Sequence, residues 1–144
     1  MHTSLLGLEI RLARRAATRS MPASRAGLCA AAVPRGVQEL SVQETAEQLS
    51  LLPPGEAQLL DVREQWEHAL SSLPGWRLTP MSAPDDWVSS LDATKPTYVL
   101  CHHGVRSRHV ADWLVAQGAV TAPVYNVSGG IDAWSRHDKS VPRY

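Results

Sequence analysis

The residues best suited to chemistry lie together in Cys101-His-His-Gly-Val-Arg-Ser-Arg-His109, which holds one of the two cysteines and three of the six histidines of the chain. Three chemistries compete for such a stretch. Cys101, His102, His103 and His109 offer a ligand set for a metal ion. A cysteine followed closely by Arg106 fits a nucleophile beside a planar, permanently charged fork that binds multi-oxygen anions, as in a phosphatase loop. A single reactive thiol in an anion-binding ring can instead handle sulfur. Metal is the weakest of these. Adjacent His102 and His103 point differently in most backbone conformations, and no second cysteine pair supports a structural zinc site.

The elements around this stretch explain why the sulfur would be reactive. Thr97-Tyr-Val-Leu-Cys101 is β-branched, aromatic and apolar, the composition of a central strand. After a turn, Val110, Ala111, Leu114 and Val115 fall at helical spacing, so a helix is expected over 107–117, with Gly118 as its C-terminal cap. Cys101 therefore stands at the carboxyl end of a strand and faces a helix N-terminus, the edge where open α/β sheets bind ligands. Residues 102–106 can wrap the sulfur with inward-facing N–H groups, forming a nest for an anion. The helix dipole adds partial positive charge at the same point. Gly104 allows the tight turn that this wrapping needs. Each of these effects favours an anionic sulfur.

Further elements follow in order. Val37–Ser41 reads as an opening strand, and Ser41-Val-Gln-Glu44 as a capping box before an amphipathic helix with Ala46, Leu49 and Leu52 inward, stopped by Pro53-Pro-Gly55. Ala57–Val62 reads as a short buried strand, 64–70 as a helical turn, and 85–91 as a short helix with acids at its start. Pro123–Val127 is another strand, followed by Ser128-Gly-Gly130 and a short helix over 131–135. Strands alternating with helices imply an α/β fold, a mostly parallel sheet covered on both faces. Trp66, Trp87, Trp113 and Trp134 read as core or cover residues.

Formal neutrality hides an asymmetry. Residues 1–36 carry six arginines, no lysine and Glu9 as the sole acid, with eight alanines and five Ser/Thr. Setting these aside from the fourteen basic and fourteen acidic residues of the chain leaves eight and thirteen, a net of about −5 over 37–144. The first 36 residues have the composition of an organelle transit peptide, chloroplast favoured over mitochondrion, and residues 37–144 are one domain. An acidic domain offers no basic patch for nucleic acid. No apolar run approaches the roughly 20 residues that span a bilayer.

Three separated motifs, Asp61-Val-Arg-Glu64 with Leu73-Pro-Gly75, then Cys101-His-His-Gly-Val-Arg106, then Asn126-Val-Ser-Gly-Gly-Ile-Asp-Ala-Trp134, together resemble a single-domain rhodanese, in the order and spacing of that family. The Cys-His-His-Gly loop and the ending Ser140-Val-Pro-Arg-Tyr144 are most similar to small rhodaneses of plastid and cyanobacterial type. The resemblance implies a three-layer sandwich with a central, mostly parallel sheet flanked by helices. Related phosphatases and arsenate reductases of this fold place five residues between cysteine and arginine, whereas here there are four, His102, His103, Gly104 and Val105. The tighter ring suits a sulfur-sized atom.

The resemblance further implies a thiosulfate-type sulfurtransferase without cofactor or metal. Cys101 takes sulfur from a small anionic donor as a persulfide and passes it to a thiol or protein cysteine, or to cyanide in assays. His102, His103, Gly104, Val105 and Arg106 would bind substrate. Asp61 and Arg63 would form an ion-paired scaffold, with Ser107 also supporting the site. Mercaptopyruvate is disfavoured as donor, because the enzymes of the family that use it usually lack the loop arginine. Ser72 stands where members often carry a histidine before the Pro-Gly element. A second reading stays open: a rhodanese-fold binding or regulatory module whose loop docks a partner.

Overall fold

A computed structural model describes residues 35–144; the proposed leader over 1–36 lies almost wholly outside the described residues. The order is β1 (Val37–Leu40), α1 (Val42–Leu51), β2 (Gln58–Asp61), α2 (Gln65–Leu70), β3 (Arg77–Leu78), two 3-10 turns (Pro84–Asp86 and Val88–Ser90), β4 (Thr97–Leu100), α3 (Val105–Ala116), β5 (Val124–Val127) and α4 (Gly130–His137). The five strands form one sheet in the order β1-β5-β4-β2-β3, and every pairing is parallel. This is the parallel α/β sheet expected from the alternating pattern.

β4 lies in the middle, and all four of its residues are buried. Side chains alternate across a strand, so Tyr98 and Leu100 join the cluster of Leu40, Trp76, Val127 and Ile131 on one face. Val99 and Cys101 join Val62, Val110, Ala111 and Leu114 on the other. Parity along β4 thus directs the thiol towards α3. The two faces are covered by helices, which gives the three layers.

Local chemistry explains most boundaries. Ser41 Oγ accepts from the Glu44 N–H at 3.2 Å, and the Glu44 carboxylate accepts the Ser41 N–H at 2.8 Å, closing the capping box of α1. Gly118, at φ +65°, donates its N–H to the Val115 carbonyl and ends α3. Several details differ from the sequence expectation. α3 starts at Val105 rather than Ser107, because Gly104 adopts φ +98° and turns the chain directly into the helix. The stretch 85–91 forms two 3-10 turns about Trp87 rather than one helix. In α1 the buried positions are Val42 and Thr45, while Leu49 and Leu52 pack only partly against the core. Trp66 is 64% exposed, so it is neither core nor cover. Trp76 takes such a place instead, meeting Trp134 edge-on at 5.9 Å.

The turn between β5 and α4 carries two left-handed glycines, Gly129 (φ +79°) and Gly130 (φ +57°). A Cβ on Gly130 would collide with the carbonyls of Cys101 and His102, whereas one on Gly118 would meet nothing within 4 Å. Gly130→Ala should therefore lose on the order of 3 kcal/mol or more of stability, and Gly118→Ala about 1 kcal/mol from conformation alone. Urea unfolding checks the difference. Equal losses would contradict close packing of this turn against the loop.

Candidate active site

The strand β4 ends at the loop Cys101–Gly104, and α3 follows at once. Cys101 is 1% exposed. Its Sγ accepts the Gly104 N–H at 3.0 Å and the Ser107 hydroxyl at 3.2 Å. Both donors exist because Gly104 bends the chain back and because Ser107, fully buried in the first turn of α3, points at the sulfur. Donors aimed at a sulfur stabilise negative charge on it.

The loop is held from below by the β5–α4 turn. The N–H groups of Ile131 and Asp132, in the first turn of α4, donate to the Cys101 and His102 carbonyls at 2.9 and 3.1 Å. Asn126 Nδ2 donates to the Gly104 carbonyl at 3.0 Å and also to Glu39. Glu39 in turn accepts from Ser128 and from Arg108 Nη1. Three of these bonds, from Asn126, Ile131 and Asp132, give the third sequence motif its physical purpose, because each fixes a backbone carbonyl of the cysteine loop. Glu39 lies outside the three motifs, and Asn126 enters them only as the first residue of the third. The glycine pair after β5 was the available signal for a close backbone approach.

The other wall comes from β2 and α2. Arg63 and Asp61 are fully buried and paired, Nη2 to Oδ2 at 2.6 Å, with Nε donating to Oδ1 at 2.9 Å. Arg63 also donates to the Ser71 carbonyl and to the Tyr144 hydroxyl, both at 2.7 Å. Burial opposes its charge, but hydrogen bonds and attraction from Asp61 outweigh burial and hold its pKa above the ordinary value. Asp61 and Arg63 thus form a buried ion pair at the end of β2.

Arg106 is one-third exposed, and its fork is shared with a carboxylate of the chain itself. Nη1 and Nη2 donate to Glu67 Oε2 and Oε1 at 2.7 and 2.6 Å, a two-pronged ion pair. The physical reason lies in α2, which places the almost buried Glu67 carboxylate opposite the first turn of α3. Glu67 also accepts the Glu64 N–H at 3.0 Å and lies 3.3 Å from the Tyr144 hydroxyl. Hydrogen bonds from Arg106 in the first place lower the Glu67 pKa to about 2.

The histidines are spread along the rim. The His102 ring meets those of Tyr144 and His103 edge-on, at 4.6 and 4.2 Å. Burial, and then the neighbouring His103, lower the His102 pKa, so its neutral form is favoured. His103 Nδ1 lies 3.8 Å from Asp132 and is well exposed. Val105 is 65% exposed on the loop. Beside the loop, a cleft of about 350 Å³ is lined by residues including Glu39, His103, Arg108 and His109. Among the described residues, no group of three or more His, Cys, Asp or Glu is arranged to hold a metal ion.

A profile of the rhodanese-like domain matches residues 44–137. The chain belongs to the rhodanese-like domain family. A Rhodanese-like/PpiC domain-containing protein 12, chloroplastic, from Arabidopsis thaliana is 46% identical over 94 residues, 62% of this chain and 31% of that protein. The chain thus spans about a third of the length of that relative. Thiosulfate sulfurtransferase GlpE of Pseudomonas paraeruginosa is 31% identical over 88 residues, 61% of this chain and 78% of that one. A crystal structure of a rhodanese-like domain protein from Staphylococcus aureus superposes with TM-score 0.62 at 30% identity, covering 74% of this chain and 98% of that one. The rhodanese fold expected from the three motifs is therefore established, and thiosulfate sulfurtransferases are among its relatives.

The Glu67–Arg106 pair has a defined pH signature. The folded-state pKa of Glu67 is depressed from 4.5 to about 2. Its contribution to stability is therefore full above about pH 4.5 and is lost as pH falls towards 2. The stability advantage of the wild type over Glu67→Gln should be largest near neutrality and shrink steadily below about pH 4.5. Urea midpoints of both proteins across that range check the sign.

Proposed function

We propose that the protein is a sulfurtransferase that carries sulfane sulfur on Cys101. The observation that carries this reading is the cysteine at the end of β4, its Sγ held by the Gly104 N–H and the Ser107 hydroxyl within a four-residue ring. In the proposed cycle the Cys101 thiolate attacks the outer sulfur of thiosulfate or a similar donor. The S–S bond of the donor breaks, and sulfite leaves with the electron pair. The resulting Cys101 persulfide keeps one negative charge, which Gly104, Ser107 and the helix N-terminus stabilise. A thiol, a protein cysteine or, in assays, cyanide then attacks the terminal sulfur and restores the thiolate. Two easier displacements replace one difficult transfer. His102, His103 and Val105 form the rim past which donor and acceptor approach, and Asp61, Arg63 and Arg106 hold its wall in shape.

The relationship to thiosulfate sulfurtransferases supports this chemistry. Likeness to a chloroplastic relative, together with the arginine-rich, acid-poor first 36 residues, supports a plastid location. A second reading, a module that docks a partner through its loop with turnover incidental, has two observations in its favour: the sulfur is almost wholly buried and Arg106 is already paired.

Intact mass after incubation with thiosulfate separates the two readings. The full chain should gain one sulfur, and Cys101→Ser should gain none, with Cys29 retained as an internal control. Thiocyanate formation from cyanide should follow the same pattern. No adduct from thiosulfate or from a thiol persulfide, and no thiocyanate, would leave only the docking module. Ser107→Ala removes one of the two donors to the sulfur and should slow single-turnover sulfur loading on the order of tenfold, read by quenched mass measurement at unchanged thermal stability.

A further inference from the structure

The pairing of Arg106 bears on which sulfur donors the site accepts, an inference that rests on the proposed sulfurtransferase reading. A guanidinium beside a reactive cysteine would normally offset the charge of an incoming oxyanion. Here both Nη groups are engaged at 2.6 and 2.7 Å by Glu67, whose side chain is only 5% exposed. Glu67 is itself pinned by the Glu64 N–H and sits against the Tyr144 hydroxyl, which accepts from Arg63. Arg63, the next cation inward, is fully engaged with Asp61, Ser71 and Tyr144. What remains to meet a donor is the Gly104 N–H and Ser107 hydroxyl at the sulfur, the rim imidazoles of His102 and His103, the exposed apolar face of Val105, and a partly exposed Arg106 whose charge Glu67 already offsets.

Such a mouth is poorly matched to a dianion. The cost of desolvating an ion rises steeply with its charge, and an unmasked cation is the usual compensation. We propose that Glu67 sets donor specificity: by holding the fork of Arg106 it disfavours doubly charged oxyanion donors such as thiosulfate and leaves a site suited to singly charged, thiol-borne persulfides. The balance of the favoured step is simple. Cys101 thiolate attacks the terminal sulfur of R–S–S⁻, the S–S bond breaks, R–S⁻ leaves with the electron pair, and Cys101–S–S⁻ retains the single charge.

The test compares two donors, thiosulfate and the singly charged persulfide of 2-mercaptoethanol, by the rate of sulfur gain on Cys101 in the full chain. The wild type should prefer the 2-mercaptoethanol persulfide, and its thiosulfate rate should fall only weakly between about 0.05 and 0.5 M salt. In Glu67→Gln the ratio of thiosulfate to persulfide kcat/KM should rise roughly tenfold, with a steeper salt dependence for thiosulfate. Glu67→Gln/Arg106→Gln should abolish that rise. An unchanged or lowered ratio in a folded Glu67→Gln protein would overturn the proposal and leave Glu67 as scaffold alone. So would a wild type that prefers thiosulfate with a steep salt dependence, a measurement that stands even if the variant does not fold. Loading from neither donor would instead defeat the sulfurtransferase reading itself.

Discussion

Two backbone hydrogen bonds, from the N–H groups of Ile131 and Asp132 to the carbonyls of Cys101 and His102, hold the cysteine loop against the start of α4. They require the β5–α4 turn to approach the loop more closely than any side chain at position 130 would allow. Everything at the site depends on that contact. With those two carbonyls fixed, Gly104 can bend the chain back so that its own N–H and the Ser107 hydroxyl meet the sulfur. Asn126 completes the brace by holding the Gly104 carbonyl.

The wall opposite is built on charge rather than on close backbone approach. Asp61 and Arg63 are buried together, and removing one partner of such a pair leaves an uncompensated ion at a cost on the order of 3–5 kcal/mol. From Arg63 the network runs through the Tyr144 hydroxyl to Glu67 and on to Arg106. It ties the end of β2, the helix α2, the final residue and the first turn of α3 to one another. The residues that flank the Cys101 sulfur are thus fixed from two directions, by glycine-permitted packing below and by a buried ionic network to the side.

The same arrangement explains why the histidines, the most conspicuous feature of the loop, take peripheral places. His102 leans edge-on against Tyr144 and is favoured in its neutral form, and His103 stands exposed beside Asp132. The sulfur faces inward towards α3, because Cys101 shares strand parity with Val99. The imidazoles therefore belong to the rim, and the donors that meet the sulfur are Gly104 and Ser107.

Much of this was legible in the sequence because it rests on local rules. Strand parity, the capping box at Ser41, the glycine cap at Gly118 and the alternation of strands with helices are each written in a few neighbouring residues. The four-residue count from Cys101 to Arg106 placed the loop, and three motifs in order placed the chain in its family. What the sequence could not supply were contacts between residues far apart in the chain. Glu67 and Arg106 are 39 positions apart, and Glu39 and Asn126 are 87 apart. No periodicity relates such residues. Whether Arg106 stands free or paired depends on where α2 settles against α3, and only the tertiary packing decided that.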